Sequence, residues 1–169
     1  MRKFVRKWIV SIISSMHKVH SPLLLALARF SKGTGKTEFF RRLLQTSYLD
    51  ITQSKLDKEK DDELLMCENI IIMDDELGGK SKSDAQKLKN ITSKEYFYLR
   101  RPYGDHNERI LRVAVLCGTS NYINVVNDTT GNRRILPIKV LDIDKDLFNG
   151  IDKRKLFNEA YQLYKSGFD

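Results

Sequence analysis

The chain has 169 residues, 41% of them hydrophobic, which is enough for the core of one domain spanning residues 1–169. Thirty lysines and arginines against 22 acidic residues give a net charge of +8, which indicates a polyanionic partner such as nucleic acid, although a merely soluble basic protein would carry the same charge. Cys67 and Cys117 lie far apart without a CxxC motif or paired histidines, so neither a disulfide framework nor a zinc site is indicated, and a cytoplasmic location is expected. No apolar run approaches the roughly 20 residues that a membrane span requires.

The first predicted element is an amphipathic helix that ends before Pro22 and packs on a core. Its apolar residues recur at helical spacing, with the basic residues largely on the opposite face. The apolar stripe consists of Phe4, Val5, Trp8, Ile9, Ile12, Ile13 and Met16. A continuous apolar run follows at residues 23–28, and such a run is typical of a strand buried on both faces.

A glycine-rich loop follows that strand directly. It consists of Gly33, Thr34, Gly35, Lys36 and Thr37, and helical spacing of apolar residues returns at 39–44. The order of strand, loop and helix predicts a phosphate loop whose backbone N–H groups face a triphosphate. Lys36 would neutralise the terminal phosphates, and the hydroxyl of Thr37 would ligate Mg²⁺. Phe30 stands where the usual pattern has glycine, which leaves open whether the loop still supports hydrolysis.

A second buried strand is predicted at residues 69–73, after an acidic, helical stretch at 57–66. The strand ends in Asp74, Asp75 and Glu76, and ligands gather at the carboxyl ends of parallel strands. An acid at Asp74 or Asp75 would hold Mg²⁺, and Glu76 is placed to orient the attacking water as general base. Whether Asp75 or Glu76 takes that last role stays open, because a shift of one residue turns a side chain to the other face.

The next segment predicts a short helix and then a hairpin. A capping box at residues 83–86 opens a helix that ends near Ile91, and strands at 96–100 and from 109 flank a turn at 102–105. The turn region mixes cations with aromatic rings, which suits contacts to a nucleic acid strand, although an ordinary basic hairpin has the same composition. The residues concerned are Arg101, Tyr103, His106 and Arg109.

The second hairpin strand is predicted to continue into a third central strand that ends at Cys117. Asn121 follows its end, and a loop at 127–134 finishes in Arg133 and Arg134. Either arginine could stabilise charge on a transferring phosphoryl group, or the pair could lie in a solvated turn or a salt bridge. A further strand is predicted at 135–140, and a last helix runs from a cap at Asp152 to a stop at Gly167.

With these segments in this order, the chain resembles the helicase-type ATPase domain of the virulence-associated protein E family, phage- and plasmid-associated proteins related to the superfamily 3 helicases. The resemblance spans most of the chain and is carried by the blocks GTGKTEFFRRLL at 33–44, SKLDKEKDDELL at 54–65, IIIMDDELGGKSKSDAQKLKNITS at 70–93, LRRPYGDHNERILRVAVLCGTSN at 99–121 and NDTTGNRRILPIKV at 127–140.

This resemblance implies an α/β fold, a three-layer P-loop NTPase of the AAA+-like type with a central, mostly parallel sheet flanked by helices. It also implies an ATP- and Mg²⁺-dependent motor that acts on single-stranded or forked DNA and assembles as a homo-oligomeric ring, each site being completed by a neighbouring subunit. The implied roles are the phosphate loop for Lys36 and Thr37, the metal-and-water motif for Asp74, Asp75 and Glu76, the sensor for Asn121, the trans-acting arginine for Arg133 or Arg134, and the DNA-tracking hairpin for the loop at 103–106.

Three functions therefore stay open at the level of sequence. The first is a DNA-stimulated ATPase that serves the replication of a phage or mobile element. The second is a DNA-binding module or remnant that does not hydrolyse nucleotide, because Phe30 interrupts the loop pattern. The third is a stand-alone oligomerising fragment that only poisons or scaffolds the ring of a longer homologue. Separately, the chain starts almost at the ATPase core, so we expect its N-terminus to be truncated.

Overall fold

Seven strands and six helical segments make up the described part of the chain. The computed structural model describes residues 2–29, 33–44, 48–50, 59–75, 77, 89–101, 103–121 and 134–168. The helices are α1 Arg2–Met16, α2 Lys36–Arg41, α3 Glu59–Glu68, α4 at residues 89–93, α5 Lys145–Gly150 and α6 Lys153–Lys165. The strands are β1 Leu24–Ala28, β2 Tyr48–Asp50, β3 Ile71–Asp74, β4 Tyr96–Leu99, β5 Glu108–Leu111, β6 Val115–Ser120 and β7 Ile135–Lys139.

Five of these strands form one sheet in the order β2-β3-β6-β1-β7, and every neighbouring pair is parallel. All residues of β1 and β6 are buried, because helices or loops cover both faces of a parallel sheet. Pro137 lies in β7, the outermost strand of the sheet, where a residue without a backbone N–H is tolerated. Ala28 pairs with Ser120, so β1 and β6 end at the same edge of the sheet. We call this edge the carboxyl edge and the opposite one the amino edge.

The two faces of the sheet bury separate apolar clusters. One face packs against α1 and α2 through Trp8 and Phe40, whose rings meet edge to face with centroids 5.6 Å apart. Nε1 of Trp8 also donates a hydrogen bond to the Leu116 carbonyl at 2.8 Å. The other face packs against α3 and the β4–β5 hairpin through Met66 and Phe97. Helices and hairpin on both sides of a central parallel sheet make the three-layer α/β fold that the sequence predicts.

The β4–β5 hairpin forms its own antiparallel sheet and joins β6 at the amino edge. Arg112, between β5 and β6, is 1% exposed, and its guanidinium donates to the carbonyls of Ile91 and Ser21, both at 2.6 Å. Burial lowers the pKa of Arg112 to about 10, which leaves it charged at neutral pH. Its backbone N–H donates to the Glu95 carbonyl at 2.9 Å. These contacts fix the base of the hairpin to the core.

Most predicted elements are confirmed, with two corrections: β6 continues to Ser120, three residues beyond its predicted end at Cys117, and α1 ends earlier than predicted. The helix ends at Met16 and not at Pro22, because Lys18 takes a left-handed conformation with φ 63° and the Val19 N–H turns back to the Ser14 carbonyl at 2.9 Å. The cap of α6 is confirmed, since Oδ1 of Asp152 accepts from the Arg154 N–H at 2.9 Å. The capping box at 83–86 lies outside the described residues.

Strand β2 and helix α5 were not predicted, since each is short and lacks a clear apolar period. Among the described residues, no helix is both long and apolar enough to cross a membrane.

Candidate nucleotide-binding site

The glycine-rich loop lies at the carboxyl edge, between β1 and α2. Gly33 and Gly35 have φ values of 80° and 79°, a left-handed conformation that glycine adopts without strain. Gly35 is also the N-cap of α2, and its carbonyl accepts the first helical hydrogen bond, from the Phe39 N–H at 2.9 Å. The two glycines therefore help to form the turn that joins β1 to α2.

Lys36 is the first residue of α2 and is 8% exposed. Its Nζ lies 3.1 Å from the Arg29 carbonyl, 3.1 Å from the Ser120 carbonyl and 3.3 Å from Oδ1 of Asn121. Burial lowers the pKa of Lys36, while the nearby carboxylate of Asp75 acts in the opposite direction. The three oxygen acceptors hold the ammonium at the carboxyl ends of β1 and β6.

Asp75 follows the last residue of β3 and faces the loop. Its Oδ1 lies 3.4 Å from Oγ1 of Thr37 and accepts a hydrogen bond from Oγ1 of Thr119. One carboxylate and two hydroxyls thus meet at one point. Oxygen ligands of this kind suit Mg²⁺, which usually takes one or two carboxylates together with phosphate oxygens and waters. Among the described residues, no group of three or more His, Cys, Asp and Glu side chains is placed to hold a metal ion by itself.

These side chains enclose a cavity of about 450 Å³, within the usual size range of small-molecule sites. Its lining consists of Gly33, Thr34, Gly35, Lys36, Thr37, Glu38, Asp75, Thr119, Asn121 and Lys145. Oγ1 of Thr34 is buried, and within the described part of the chain it has no hydrogen-bond partner. Such an atom loses about 1–3 kcal/mol unless a ligand or water meets it, so the cavity fits a ligand with hydrogen-bonding oxygens.

The structure brings together most of the residues predicted for phosphate and metal binding. Gly33 to Thr37, Asp75 and Asn121 all line the cavity, whereas Asp74 does not. Side chains alternate along β3, so Asp74 lies on the face of Ile72, the face that packs against α3 and the hairpin. Glu76, Phe30 and Arg133 lie outside the described residues.

Arg134 lies at the amino edge, at the opposite end of the sheet from the cavity. Its carbonyl accepts from the Leu24 N–H at 2.9 Å, at the start of β1, and its Nη1 donates to Oγ of Ser93. Strand β1 has five residues and spans about 16 Å. The structure therefore does not bring Arg134 to the cavity of its own chain.

The residues predicted to contact nucleic acid lie on the exposed hairpin. Tyr103, at the turn, is fully exposed with φ 65°, and His106 is exposed beside it. Arg101 pairs with Glu108 at 3.4 Å, and the guanidinium of Arg109 lies 3.7 Å from the ring centroid of Tyr96. The first pair is exposed to water on both sides, and such pairs are weak. The cations of the hairpin thus stay accessible to solvent.

Three residues were not identified from the sequence, one on the exposed face of the hairpin and two in the cavity. Tyr98 is 70% exposed on the outer face of the hairpin, and the alternation with buried Phe97 and Leu99 could have shown it. Thr119 lies two residues before Asn121 at the strand end, where its contact with Asp75 depends on the register of β3 and β6. Lys145 reaches the cavity from α5 and belongs to no motif.

The parallel sheet with helices on both faces, the glycine-rich loop after β1 and the cavity at the carboxyl edge define a three-layer α/β fold with its cavity where ligands gather in such sheets. The model of the virulence-associated protein E-like domain matches residues 1–169, and the chain belongs to that family. No curated protein matches the sequence.

Two solved apo structures of the C-terminal region of NrS-1 have the same fold. Each gives a TM-score of 0.60 at 16% sequence identity. The matches cover 93% and 96% of this chain but only 38% and 39% of the NrS-1 chains. The chain therefore spans less than two fifths of the length of these structures.

Proposed function

We propose that this domain is a Mg²⁺-dependent ATPase of the helicase type, a motor that acts on DNA in the replication of a phage or mobile element. One observation carries the proposal: Lys36, Thr37, Asp75 and Asn121, which come from three separate segments, meet around one cavity at the carboxyl edge. A chance GKT sequence on a basic surface would have no reason to meet the acid that follows another strand and the amide that follows a third.

Each of these residues has a task that its contacts support. The buried ammonium of Lys36 would face the terminal phosphates, and its distance of 3.3 Å from Asn121 would let the amide respond to their presence. Thr37 and Asp75 would hold Mg²⁺, with Thr119 orienting the carboxylate through its hydroxyl. The ion itself would shield the negative charge of the phosphates. Because Asp75 is engaged by two hydroxyls, we assign the orientation of the attacking water to Glu76.

DNA contact is proposed for the β4–β5 hairpin. Tyr98 and Tyr103 are exposed to water, and Arg109 lies opposite Tyr98 in the register of the hairpin, a combination that allows bases to stack and phosphates to pair. Stacking on an aromatic ring contributes roughly 1–3 kcal/mol per base and does not depend on sequence. We therefore propose single-stranded or forked DNA as the partner, contacted by Arg101, Tyr103, His106 and Arg109.

A neighbouring subunit would complete each site. Arg134 lies at the amino edge of its own sheet, so in a homo-oligomeric ring it or Arg133 would serve the cavity of the next subunit and not its own. An arginine that stabilises phosphoryl charge in this way is worth roughly 10³–10⁵ in rate.

Phosphate release by the purified protein tests the proposal, with and without single-stranded DNA. Wild type should turn over ATP only with Mg²⁺ and faster with DNA, and Lys36→Ala should abolish the activity. Lys155→Ala removes the same charge from an exposed position on α6 and should leave the activity unchanged. If wild type and Lys36→Ala both release phosphate only at background rate, the proposal that this domain is an ATPase is wrong. DNA binding without turnover would then favour a non-hydrolysing module.

A further inference from the structure

Lys145 is a lysine of the cavity that no motif contains. It is the first residue of α5, and its side chain lines the same cavity as Lys36 and Asp75. Its Cε lies 3.2 Å from the position that a Cβ on Gly35 would occupy, so the chain of methylenes passes directly over the glycine loop. The ammonium is therefore close to the backbone that would cradle phosphates.

Contacts between α5 and α2 hold Lys145 in place. The rings of Phe148 and Phe39 lie with centroids 4.8 Å apart, and Nη1 of Arg42 donates to Oδ1 of Asn149 at 2.8 Å. At its start, α5 is capped by Asp144, whose side chain accepts from the Leu147 N–H at 2.9 Å. Because α5 is attached to the helix that follows the phosphate loop, Lys145 keeps its position relative to the loop.

The two lysines of the cavity differ in how many oxygen atoms of the protein contact their ammonium groups. Three oxygen atoms surround Nζ of Lys36. Lys145 is exposed, and within the described part of the chain no hydrogen bond or ion pair engages its ammonium. A triphosphate carries several negative charges, more than one buried ammonium neutralises. Lys145 is thus a second cation that can turn toward such a ligand without giving up a hydrogen bond or ion pair to any residue that the structure describes.

We propose that Lys145 is a phosphate-contacting residue in cis, supplied by α5 in addition to the lysine of the phosphate loop. This inference rests on the nucleotide site of the proposed function and names one more residue of it. Because the side chain is exposed, its contribution should be smaller than that of a buried ammonium, and we expect loss of the charge to weaken binding about five- to tenfold.

Calorimetric titration of the purified protein tests the assignment, with two ligands in the presence of Mg²⁺. One ligand is a slowly hydrolysed ATP analogue, and the other is inorganic tripolyphosphate, which lacks base and sugar. Lys145→Ala should weaken both about five- to tenfold, Lys145→Arg should retain most of the affinity, and Lys155→Ala should match wild type. The unfolding temperature without ligand should be the same for wild type and Lys145→Ala, since the side chain is exposed.

The outcomes separate this inference from the proposed function. If wild type binds both ligands and Lys145→Ala binds them equally well, the role of Lys145 is wrong and the nucleotide site stands. If Lys145→Ala weakens only the ATP analogue, the lysine contacts base or sugar, and a phosphate contact is wrong. If wild type binds neither ligand, both the proposed nucleotide site and the proposed role of Lys145 are wrong.

Discussion

Gly118 is the position at which a single added methyl group should damage both the fold and the site. It lies in β6 opposite Asp74, and a Cβ there would be 2.6 Å from the Asp74 carbonyl oxygen and 2.2 Å from Cδ1 of Leu77. Leu77 is 1% exposed, and its N–H donates to the Thr119 carbonyl at 2.8 Å, so neither neighbour can move without disturbing others. Overpacking of this kind typically costs about 1–3 kcal/mol, and a clash with backbone argues for the upper half of that range.

Equilibrium unfolding in urea measures this effect. A loss of about 2 kcal/mol lowers the midpoint by about 1 M when the slope is about 2 kcal/mol/M, and the slope itself should not change. Gly150→Ala is the matched control, because no atom lies within 4 Å of its Cβ position, and it should be neutral or slightly stabilising.

A double-mutant cycle then tests the cause. Leu77→Ala alone should cost about 2–5 kcal/mol, but together with Gly118→Ala the loss should be smaller than the sum, since two of the three close contacts of the added methyl are with Leu77. A Gly118→Ala protein with the wild-type midpoint, or strictly additive losses, would refute the reasoning. Because the strained backbone adjoins Asp75, the same variant should also bind nucleotide more weakly.

Three further predictions concern single side chains. Burial, and after it the charge of Arg112, lowers the pKa of His20 from 6.5 to about 4, so the folded state favours the neutral ring. The contribution of His20 to the free energy of unfolding is therefore fully present above about pH 6.5 and is lost as the pH drops toward 4. In that pH range the urea midpoint of His20→Gln should fall less than that of wild type, whereas the midpoint of the exposed-site variant His106→Gln should follow wild type. Asp75→Asn should lower the gain in nucleotide affinity from Mg²⁺ on the order of tenfold, and titrations with Mg²⁺ or a chelator that show an unchanged gain contradict its role. Trp8→Phe removes the hydrogen bond to the Leu116 carbonyl and should cost about 1–2 kcal/mol by urea unfolding; an equal midpoint would show that this bond contributes nothing.

The parts of the fold that the sequence predicted are those with a strong local signal. Three such signals can be interpreted without any other segment of the chain. The fully apolar run at 23–28 indicates a buried strand, the glycines of the loop allow a tight turn, and the acids near the end of β3 indicate where that strand stops. The end of α1 has no such signal, since Pro22 is a strong helix breaker while the residue that ends the helix is Lys18, a type that seldom adopts positive φ. The prediction placed the end of α1 at the proline and was wrong by about six residues.

The parts of the site that the sequence did not predict depend on contacts between distant segments. Thr119 meets Asp75 only because β3 and β6 are paired with Asp74 opposite Gly118. Lys145 reaches the cavity because α5 packs on α2 through Phe148 and Phe39. A lysine after a strand and a threonine within one are common on any surface or sheet, so neither residue type in its local sequence indicates a ligand. Tertiary packing alone gives them a place in the site.

The positions of the cavity and of Arg134 limit the kind of assembly that the proposed function can use. The cavity opens at the carboxyl edge, whereas Arg134 lies at the amino edge, next to Ser93 and near the base of the hairpin. If Arg134 completes a neighbour's site, the amino edge of one subunit must face the carboxyl edge of the next. A two-fold dimer meets this condition only if its two sheets run antiparallel, so that the shared patch includes both ends of the sheet and each Arg134 reaches the cavity of the partner. A head-to-tail contact meets it with two separate patches, and such a contact closes as a ring or continues as a filament. In such an assembly, β6 connects the proposed DNA contact to the nucleotide site within each subunit, since the hairpin joins its first residue and Asn121 follows its last.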